Sequence, residues 1–373
     1  MQEDYLQENI PVNIPEENLS ARVMTNQEIE ALLLKNERLQ LENEKLLKMN
    51  EDLTAKVVNL NQQLYELKET RKCQLLSDIR KDDKLCLFYT GLNNFKLFHG
   101  IFLSLKSAFR DDPRFAVPLD EQFLITLMKL RLNLSRKDLA YRFKISTSTV
   151  TSYIEKFINA MYIRLPEVLL RWPDKEAVMK TMPLSFRKEY PNVRGILDGT
   201  ELKSETPGNN IDAVSCYSTY KSHHTVKFLI CCTPQGSVSF ISKAFTGRAT
   251  DVFTVRESGF LELVERGDEY LADRGYINEE DFIELGAKLH RPAYKESRDQ
   301  LTGDETERSR IIANERIHIE RVIGNLKKKF MVLRGLIKIK HFCADANDNA
   351  FIHKIFAVCC CLMNAQPTIV PQY

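Results

Sequence analysis

Three acidic residues lie far apart in the chain, in local contexts that suit metal-dependent chemistry. Asp198 and Asp273 each follow a short apolar run typical of a strand, and Glu320 lies in a long stretch with helical periodicity. Carboxylates at the ends of two strands and on one helix can converge in a folded protein. Two Mg²⁺ ions held about 3.5–4 Å apart by such oxygens would activate a nucleophile and stabilise the leaving oxygen of a phosphodiester.

Three further acids compete with this trio for a place in the site. Asp251 is the rival of Asp273, but Asp is a common helix N-cap, and capping the helix that follows is its favoured role. Glu315 is the rival of Glu320, yet the two residues occupy different faces of a helix. We expect Glu201 to form a solvent-exposed ion pair rather than to point into the cleft.

Length and charge bound the class of protein. A chain of 373 residues exceeds one typical domain and favours two or three structural units. The formal charge of +2 hides an asymmetry, because residues 1–80 carry 10 basic and 15 acidic residues while the remainder carries 43 and 36. The basic remainder is the part expected to meet a polyanion.

Cysteine usage and hydropathy favour a soluble, intracellular protein. None of the nine cysteines forms a Cys-x-x-Cys pair, so buried reduced thiols are predicted. The acidic and polar start lacks the features of a secretory leader. The longest apolar run, 355–363, is too short to cross a bilayer, and no membrane partner is expected.

A leucine recurs every seven residues near the amino terminus, without an intervening Gly or Pro. The leucines are Leu32, Leu39, Leu46, Leu53, Leu60 and Leu67. Such d positions of a heptad, with Asn36, Asn43 and Asn50 at a positions, predict a parallel two-stranded coiled coil. The expected partner is a second copy, through residues 29–67. The alternative is a single amphipathic helix that lies on the globular part.

Residues 120–165 contain a helix-turn-helix pattern. Ser135 is predicted to cap a helix over 136–143, and Ser146 a second helix that starts at Thr147. The exposed face of the second helix would offer short polar side chains to DNA, and these are Thr147, Ser148, Thr151 and Ser152. The alternative is a helical hairpin that does not contact DNA.

After Trp172–Pro173 the helical periodicity gives way to short apolar runs typical of strands. The predicted strands lie at 193–197, 225–232, 237–242, 269–272 and 287–291. A helix is predicted near 278–286, a polar loop over 293–309 and a long helix from about 310 to 333. This order of strands and helices predicts an α/β fold with a ribonuclease-H-like mixed sheet.

Several short motifs occur in an order that is specific when they are taken together. They are Tyr89-Thr90-Gly91-Leu92, Arg171-Trp172-Pro173, Ile196-Leu197-Asp198-Gly199-Thr200-Glu201, Tyr217-Ser218-Thr219-Tyr220-Lys221-Ser222-His223, Arg256-Glu257-Ser258-Gly259-Phe260, Leu271-Ala272-Asp273-Arg274-Gly275-Tyr276 and Arg316-Ile317-His318-Ile319-Glu320-Arg321-Val322-Ile323-Gly324-Asn325-Leu326-Lys327. Over residues 85–365 the chain thereby resembles the DDE superfamily endonucleases, transposases akin to the PIF/Harbinger and bacterial insertion-sequence groups.

The resemblance implies that Asp198, Asp273 and Glu320 are the metal-holding catalytic triad. It further implies two Mg²⁺ or Mn²⁺ ions, hydrolysis of phosphodiester bonds at transposon ends, and strand transfer. Members of the family commonly begin with a zinc-binding DNA-recognition module, and no such Cys/His set precedes the leucine repeat. Recognition of DNA ends would then depend on residues 120–165 or on an accessory DNA-binding protein.

Two other classes of function stay open. The first is a domesticated dimeric DNA-binding regulator that keeps the fold but has no nuclease activity. The second is a coiled-coil adaptor, which would show no salt-dependent affinity for DNA.

Basic residues accompany the proposed site. Seven of them and no acid occur between 321 and 340, which predicts a DNA track or a nuclear import signal and hence a nuclear protein. The candidate DNA-binding lysines are Lys221, Lys227, Lys327 and Lys328.

The sequence divides into four predicted segments. Residues 1–25 form a disordered acidic tail, and residues 26–72 form the leucine-zipper coiled coil. Residues 73–180 form a helical region with the helix-turn-helix, and residues 181–373 form the ribonuclease-H-like nuclease domain.

Overall fold

A computed structural model describes residues 25–70, 74–109, 117–294, 300–342 and 350–368, without the side chains of 64–70. The chain divides into two compact units, Met1–Lys72 and Cys73–Tyr373. Apart from Thr25, the predicted acidic tail lies outside the described residues. Within the described part of the chain, no helix combines the length and hydropathy that crossing a membrane requires.

The first unit contains one long helix, α1 (Asn26–Thr70). Its start is capped reciprocally, since the Thr25 amide donates to Glu28 Oε2 over 2.9 Å and the Glu28 amide donates to Thr25 Oγ1. The described leucines of the heptad repeat face solvent in the single chain, from 49% exposed at Leu39 to 64% at Leu60. The side chains of Leu64 and Leu67 lie outside the described residues.

The second unit begins with short helices that precede the sheet. They are α2 (Gln74–Lys81), α3 (Asp83–Thr90), α4 (Phe95–Lys106), α5 (Leu119–Leu132), α6 (Arg136–Phe143), α7 (Thr147–Arg164), α8 (Pro166–Leu169), α9 (Lys175–Thr181) and α10 (Leu184–Glu189). The core helix α5 is buried over most of its surface, including Phe123 and Met128.

The two predicted caps of the helix-turn-helix are confirmed. Ser135 accepts a hydrogen bond from the Asp138 amide at the start of α6, and Ser146 accepts one from the Thr149 amide at the start of α7. Lys144 ends α6 in the left-handed conformation at φ 52°, which L-residues adopt at a modest cost.

Seven strands form one mixed sheet. They are β1 (Val193–Lys203), β2 (Tyr217–Ser218), β3 (His223–Cys232), β4 (Val238–Ile241), β5 (Phe245–Thr246), β6 (Glu269–Leu271) and β7 (Lys288–His290). The order is β2-β3-β1-β6-β7, and β4 and β5 also pair with β3. β1 is antiparallel to β3 and parallel to β6, so β1 is the central strand of a ribonuclease-H-like sheet.

The remaining helices follow or interleave with these strands. They are α11 (Asn210–Cys216), α12 (Asp251–Glu257), α13 (Glu279–Glu284), α14 (Gly303–Lys329) and α15 (Phe351–Asn364), with 3₁₀ turns at Phe260–Leu263, Met331–Arg334 and Ile339–Phe342.

Alternation along β1 sends side chains to two separate cores, as the pleat of a strand requires. Ile196 and Leu202 pack in the larger cluster, which also contains α14 residues such as Ile319. Leu197 packs in the smaller cluster on the other face, with Tyr270. Asp198 shares the parity of Ile196 and Leu202 and therefore lies on the face that carries α14.

The structure corrects two predicted boundaries. β1 continues to Lys203, because its second half pairs with β3 through Thr200–Phe228 and Leu202–Val226, so Asp198 lies in mid-strand and not at a strand end. The polar loop predicted over 293–309 is wrong from residue 303 onward, because α14 begins there with a capping box between Thr302 and Glu305.

Candidate active site

A polar cleft of about 580 Å³ opens beside the centre of β1. Asp198 from β1, Asp273 from the loop after β6, and Glu320 from α14 all line it. Pairing of β6 with β1 in parallel, together with packing of α14 on the β1 face, brings the three elements together. The structure thus unites the three acids that the sequence singled out.

Asp198 is a half-buried acid of the cleft. Its Oδ1 accepts the Gly199 amide over 2.8 Å. Burial raises the pKa of Asp198 to about 6, while Arg316 and this amide oppose the rise and Asp273 and Asp251 reinforce it. Since burial disfavours the charged form, a bound cation would favour ionisation.

Asp273 is held by a cation that the sequence did not suggest. Arg316 Nη1 donates to Asp273 Oδ1 over 3.0 Å, and the arginine side chain is 8% exposed against 56% for the aspartate. Because α14 places Arg316 one turn before Glu320, one helix supplies both a cation and an acid to the cleft.

Asp251 also lines the cleft, and its predicted role as an N-cap is wrong. The cap of α12 is Thr250, which accepts the Phe253 amide. Asp251 Oδ1 instead lies 3.0 Å from Lys227 Nζ. Gly275 permits this position, because a Cβ there would lie 2.6 Å from Asp251 Oδ2.

The other rival acids have distinct environments. Glu315 is buried and accepts the Ser185 hydroxyl over 3.0 Å, whereas Glu320 is exposed on the cleft side of α14. Glu201 was predicted to form an exposed ion pair, but it lines the cleft and accepts the Thr225 hydroxyl over 2.7 Å. The register that pairs Glu201 with Lys227 of β3 accounts for this placement.

Three polar atoms of the cleft are buried without a hydrogen-bond partner in the described part of the chain: the Thr200 hydroxyl, the Tyr276 hydroxyl and Arg316 Nε. Orphaned polar atoms in a cleft indicate a site for an additional polar ligand.

The donor set suits a hard divalent cation, because its members are carboxylates. Among the described residues, however, no three His, Cys, Asp or Glu side chains are gathered tightly enough to hold a metal ion. Two of the five acids that line the cleft face a cation instead, Asp273 facing Arg316 and Asp251 facing Lys227. The residues fit a divalent cation because they are carboxylates and line one cleft. The cations of the two ion pairs would compete with that metal for Asp273 and Asp251.

Comparison with protein families assigns two segments of the chain. Residues 197–364 match the model of the DDE superfamily endonuclease, and residues 116–167 match the helix-turn-helix of DDE superfamily endonuclease. Together the two matches support a DDE superfamily endonuclease. Searches of the curated proteins and of the solved structures found no match. The first match contains Asp198, Asp273 and Glu320, and the second contains α5, α6 and α7.

The DDE helix-turn-helix presents most of its predicted contact residues to solvent. Thr147, Ser148 and Ser152 are exposed on α7. Thr151 is half-buried, and its hydroxyl accepts Arg136 Nη1 over 3.1 Å and donates to the Thr147 carbonyl. Ser148 is also engaged within the protein, because its hydroxyl lies 2.7 Å from the Ser146 hydroxyl.

The basic stretch 321–340 does not form one surface. Lys327 lines the acidic cleft and donates to the Glu201 carbonyl over 2.9 Å, and burial with Lys221 lowers its pKa to about 8. Lys221 and Lys227 line the same cleft, whereas Lys328 is exposed elsewhere on α14.

Proposed function

We propose that this protein is a divalent-metal-dependent DNA endonuclease of the transposase type, which hydrolyses phosphodiester bonds at transposon ends. The observation that carries the proposal is the convergence of Asp198, Asp273 and Glu320 in one cleft, within the segment that matches the DDE superfamily endonuclease. PIF/Harbinger membership and a strand-transfer step, in which a freed 3′ hydroxyl attacks target DNA, are part of the same proposal.

Asp198, Asp273 and Glu320 would hold Mg²⁺ or Mn²⁺, and the complete site would contain two ions. When bound, the ions supply Lewis acidity toward a phosphate oxygen and toward the nucleophile. Lys327 and Lys221 line the cleft and add positive charge that draws in the DNA backbone. Tyr276 and Thr200 offer their unpaired hydroxyls to the phosphate or to ordered water.

DNA binding itself is supported by both family matches, and the helix-turn-helix supplies the expected contacts through α7. Recognition of a specific end sequence belongs to this module or to an accessory DNA-binding protein. The basic stretch 321–340 supports import into the nucleus, where such a substrate resides.

A homodimer through α1 is part of the proposal. The heptad leucines from Leu32 to Leu60 are exposed on the single helix, and burying such a seam against a second copy stabilises a parallel coil. Asn36, Asn43 and Asn50 would pair with their counterparts across the coil. Light scattering on the full chain should give twice the monomer mass, and a monomer mass at micromolar concentration would contradict the dimer.

The nuclease proposal is tested with DNA that carries the matching ends, in Mg²⁺ or Mn²⁺. Asp198→Asn should abolish nicking and leave DNA binding intact, because it removes a metal ligand and keeps the shape of the side chain. Asp304→Asn, at an exposed position in the first turn of α14, is the matched control and should cut normally. Nicking by Asp198→Asn at the wild-type rate would refute the assignment.

A dimeric DNA-binding regulator without nuclease activity is the second candidate. The pairing of Asp273 with Arg316 and of Asp251 with Lys227 favours it, because both cations compete with a metal. DNA binding together with an absence of Mn²⁺ binding in calorimetry would select this candidate over the nuclease.

A further inference from the structure

A second cavity, of about 490 Å³, shares no lining residue with the acidic cleft. It lies among the end of α5, the helix-turn-helix and the segment that follows α14. Its lining contains five cations, Lys129, Arg136, Lys137, Lys338 and Lys340, and one carboxylate, that of the exposed Glu155.

Two cations of this basic cavity, Lys129 and Arg136, donate hydrogen bonds to neutral acceptors. Lys129 Nζ donates to Asn133 Oδ1 over 2.8 Å and to the Leu134 carbonyl over 3.0 Å, and Arg136 donates to Thr151. None of the five cations forms an ion pair within the ranges that the structure describes. In the described part of the chain, the lining therefore carries five cations against the single carboxylate of Glu155.

The titration of neighbouring groups agrees with this geometry. Burial, with Arg136 and Lys338 close by, lowers the pKa of Lys129 to about 8. Burial and the surrounding cations lower the pKa of His341 to about 4, so the imidazole is neutral at physiological pH. Lys129 and Arg136 are half-buried and are therefore screened less by salt than exposed cations, and a cluster of like charges attracts an anion.

The basic cavity joins the helix-turn-helix to the strand that carries Asp198. On one side, the Ile337 amide donates to the carbonyl of Lys203, the last residue of β1, over 2.8 Å. On the other side, Gly335 lies against Asn133, so closely that a Cβ would come within 2.4 Å of Asn133 Nδ2. A ligand held here has a fixed position relative to both modules.

We propose that this cavity binds a phosphate group of the DNA backbone and so sets the position of the duplex between the helix-turn-helix and the nuclease domain. The proposal rests on the proposed function in taking DNA as the substrate. Phosphate oxygens match the donors present, since lysine and arginine supply charge-assisted bonds to phosphate. Thr147 lies in the same lining and is an exposed residue of α7, the helix expected to contact DNA, which favours DNA over a free polyphosphate as the source of the phosphate.

The test compares three double variants for binding to a random-sequence DNA duplex over a range of salt concentrations. Lys338→Gln/Lys340→Gln removes two exposed cations of the cavity. Lys180→Gln/Lys188→Gln removes the same charge from exposed positions on α9 and α10 and is the matched control. Lys338→Arg/Lys340→Arg keeps the charge. Equal unfolding midpoints establish that the fold is retained.

The Lys338→Gln/Lys340→Gln protein, the cavity variant, should bind the duplex about 10-fold more weakly than the wild type. The slope of log K against log salt concentration should be shallower by about 1 to 2. Both other variants should bind like the wild type. Unchanged affinity and slope would overturn the proposal. In that case, stabilisation of the wild type but not the cavity variant by inorganic tripolyphosphate, without DNA, would assign the cavity to a free polyphosphate.

The experiments distinguish a failure of the nuclease proposal from a failure of the phosphate-site proposal. If the wild type cuts end-bearing DNA and the cavity variant binds as the control does, the phosphate site is wrong and the nuclease stands. If the wild type does not cut, yet the cavity variant loses DNA affinity, the nuclease assignment is wrong and the phosphate site stands.

Discussion

The acidic cleft and the basic cavity of the second unit differ in how far the charges of their side chains are balanced by neighbouring side chains. In the cleft, Arg316 faces Asp273 and Lys227 faces Asp251, so the charges are partly balanced inside the protein. In the basic cavity, Lys129 and Arg136 have only neutral acceptors in the described part of the chain.

The difference indicates what each region takes from solution. The cleft has carboxylates that could bind a small cation. That cation would have to displace the side-chain cations that already pair with some of these carboxylates. A cavity with uncompensated cations suits an oxyanion. Burial is the main cause of the pKa shifts in both regions: it raises the pKa of Asp198 to about 6 and lowers that of His341 to about 4. Neighbouring acids add to the first shift and neighbouring cations add to the second.

The largest expected effect concerns the carboxylate from α14. Glu320→Gln should abolish nicking of end-bearing DNA in Mg²⁺, because an amide oxygen is a much weaker metal ligand than a carboxylate. Glu307→Gln is the control, an exposed glutamate of the same helix that pairs with Arg310, and it should retain full activity. A nicking assay checks both, and an active Glu320→Gln variant would remove this residue from the site.

The second effect is on stability without metal. The folded state holds the Asp198 proton up to about pH 6, whereas the unfolded state loses it near pH 4, so stability falls as pH rises across that window. Asp198→Asn removes this cost and should raise the free energy of unfolding at pH 7.5 by about 2 to 3 kcal/mol. Urea unfolding in EDTA measures it.

The same comparison at low pH supplies the control. Below about pH 4 both states of the wild type are protonated at Asp198, so the advantage of Asp198→Asn should disappear. A variant that is less stable than the wild type at pH 7.5 would show that Asp198 is not an electrostatic cost to the fold.

A smaller effect is expected from removing the competitor of the metal. Arg316→Gln should tighten Mn²⁺ binding by about two- to fivefold, the range for a partly exposed ion pair. Arg321→Gln changes an exposed arginine of the same helix and should leave the affinity unchanged. Weaker Mn²⁺ binding in Arg316→Gln would mean that Arg316 orients Asp273 for the metal instead of competing with it.

The smallest effect tests the basic cavity from the opposite direction. Leu336 is 55% exposed and lines the cavity, so Leu336→Glu adds a carboxylate to the uncompensated cations. It should raise the free energy of unfolding at low salt by about 0.5 kcal/mol and raise the pKa of His341, as followed by NMR. Leu336→Gln is the uncharged control, and an unchanged His341 titration would contradict the charge imbalance.

Features set by neighbours in the sequence were predictable. Ser135 and Ser146 cap their helices as expected, because an N-cap bonds to an amide three residues away. The capping box of Thr302 and Glu305 carried the same local signal, yet the polar composition of 293–309 concealed it. Asp251 was misassigned because Thr250, immediately before it, serves as the cap.

Features set by distant pairing were not predictable from the residues alone. The extension of β1 through Thr200 to Lys203 depends on its pairing with β3, and short polar residues there gave no strand signal. Arg316 contacts Asp273 across 43 positions of sequence. The assignment of Asp198, Asp273 and Glu320 to one cleft came from the family resemblance, and the structure brings the three residues together.

The central claim is that Asp198, Asp273 and Glu320 jointly hold a divalent cation, and calorimetric titration with Mn²⁺ tests it most directly. The wild type and Asp304→Asn should bind Mn²⁺ with the same affinity, and Asp273→Asn should lose that binding. Equal binding by Asp273→Asn, or an absence of binding by the wild type, would contradict the claim.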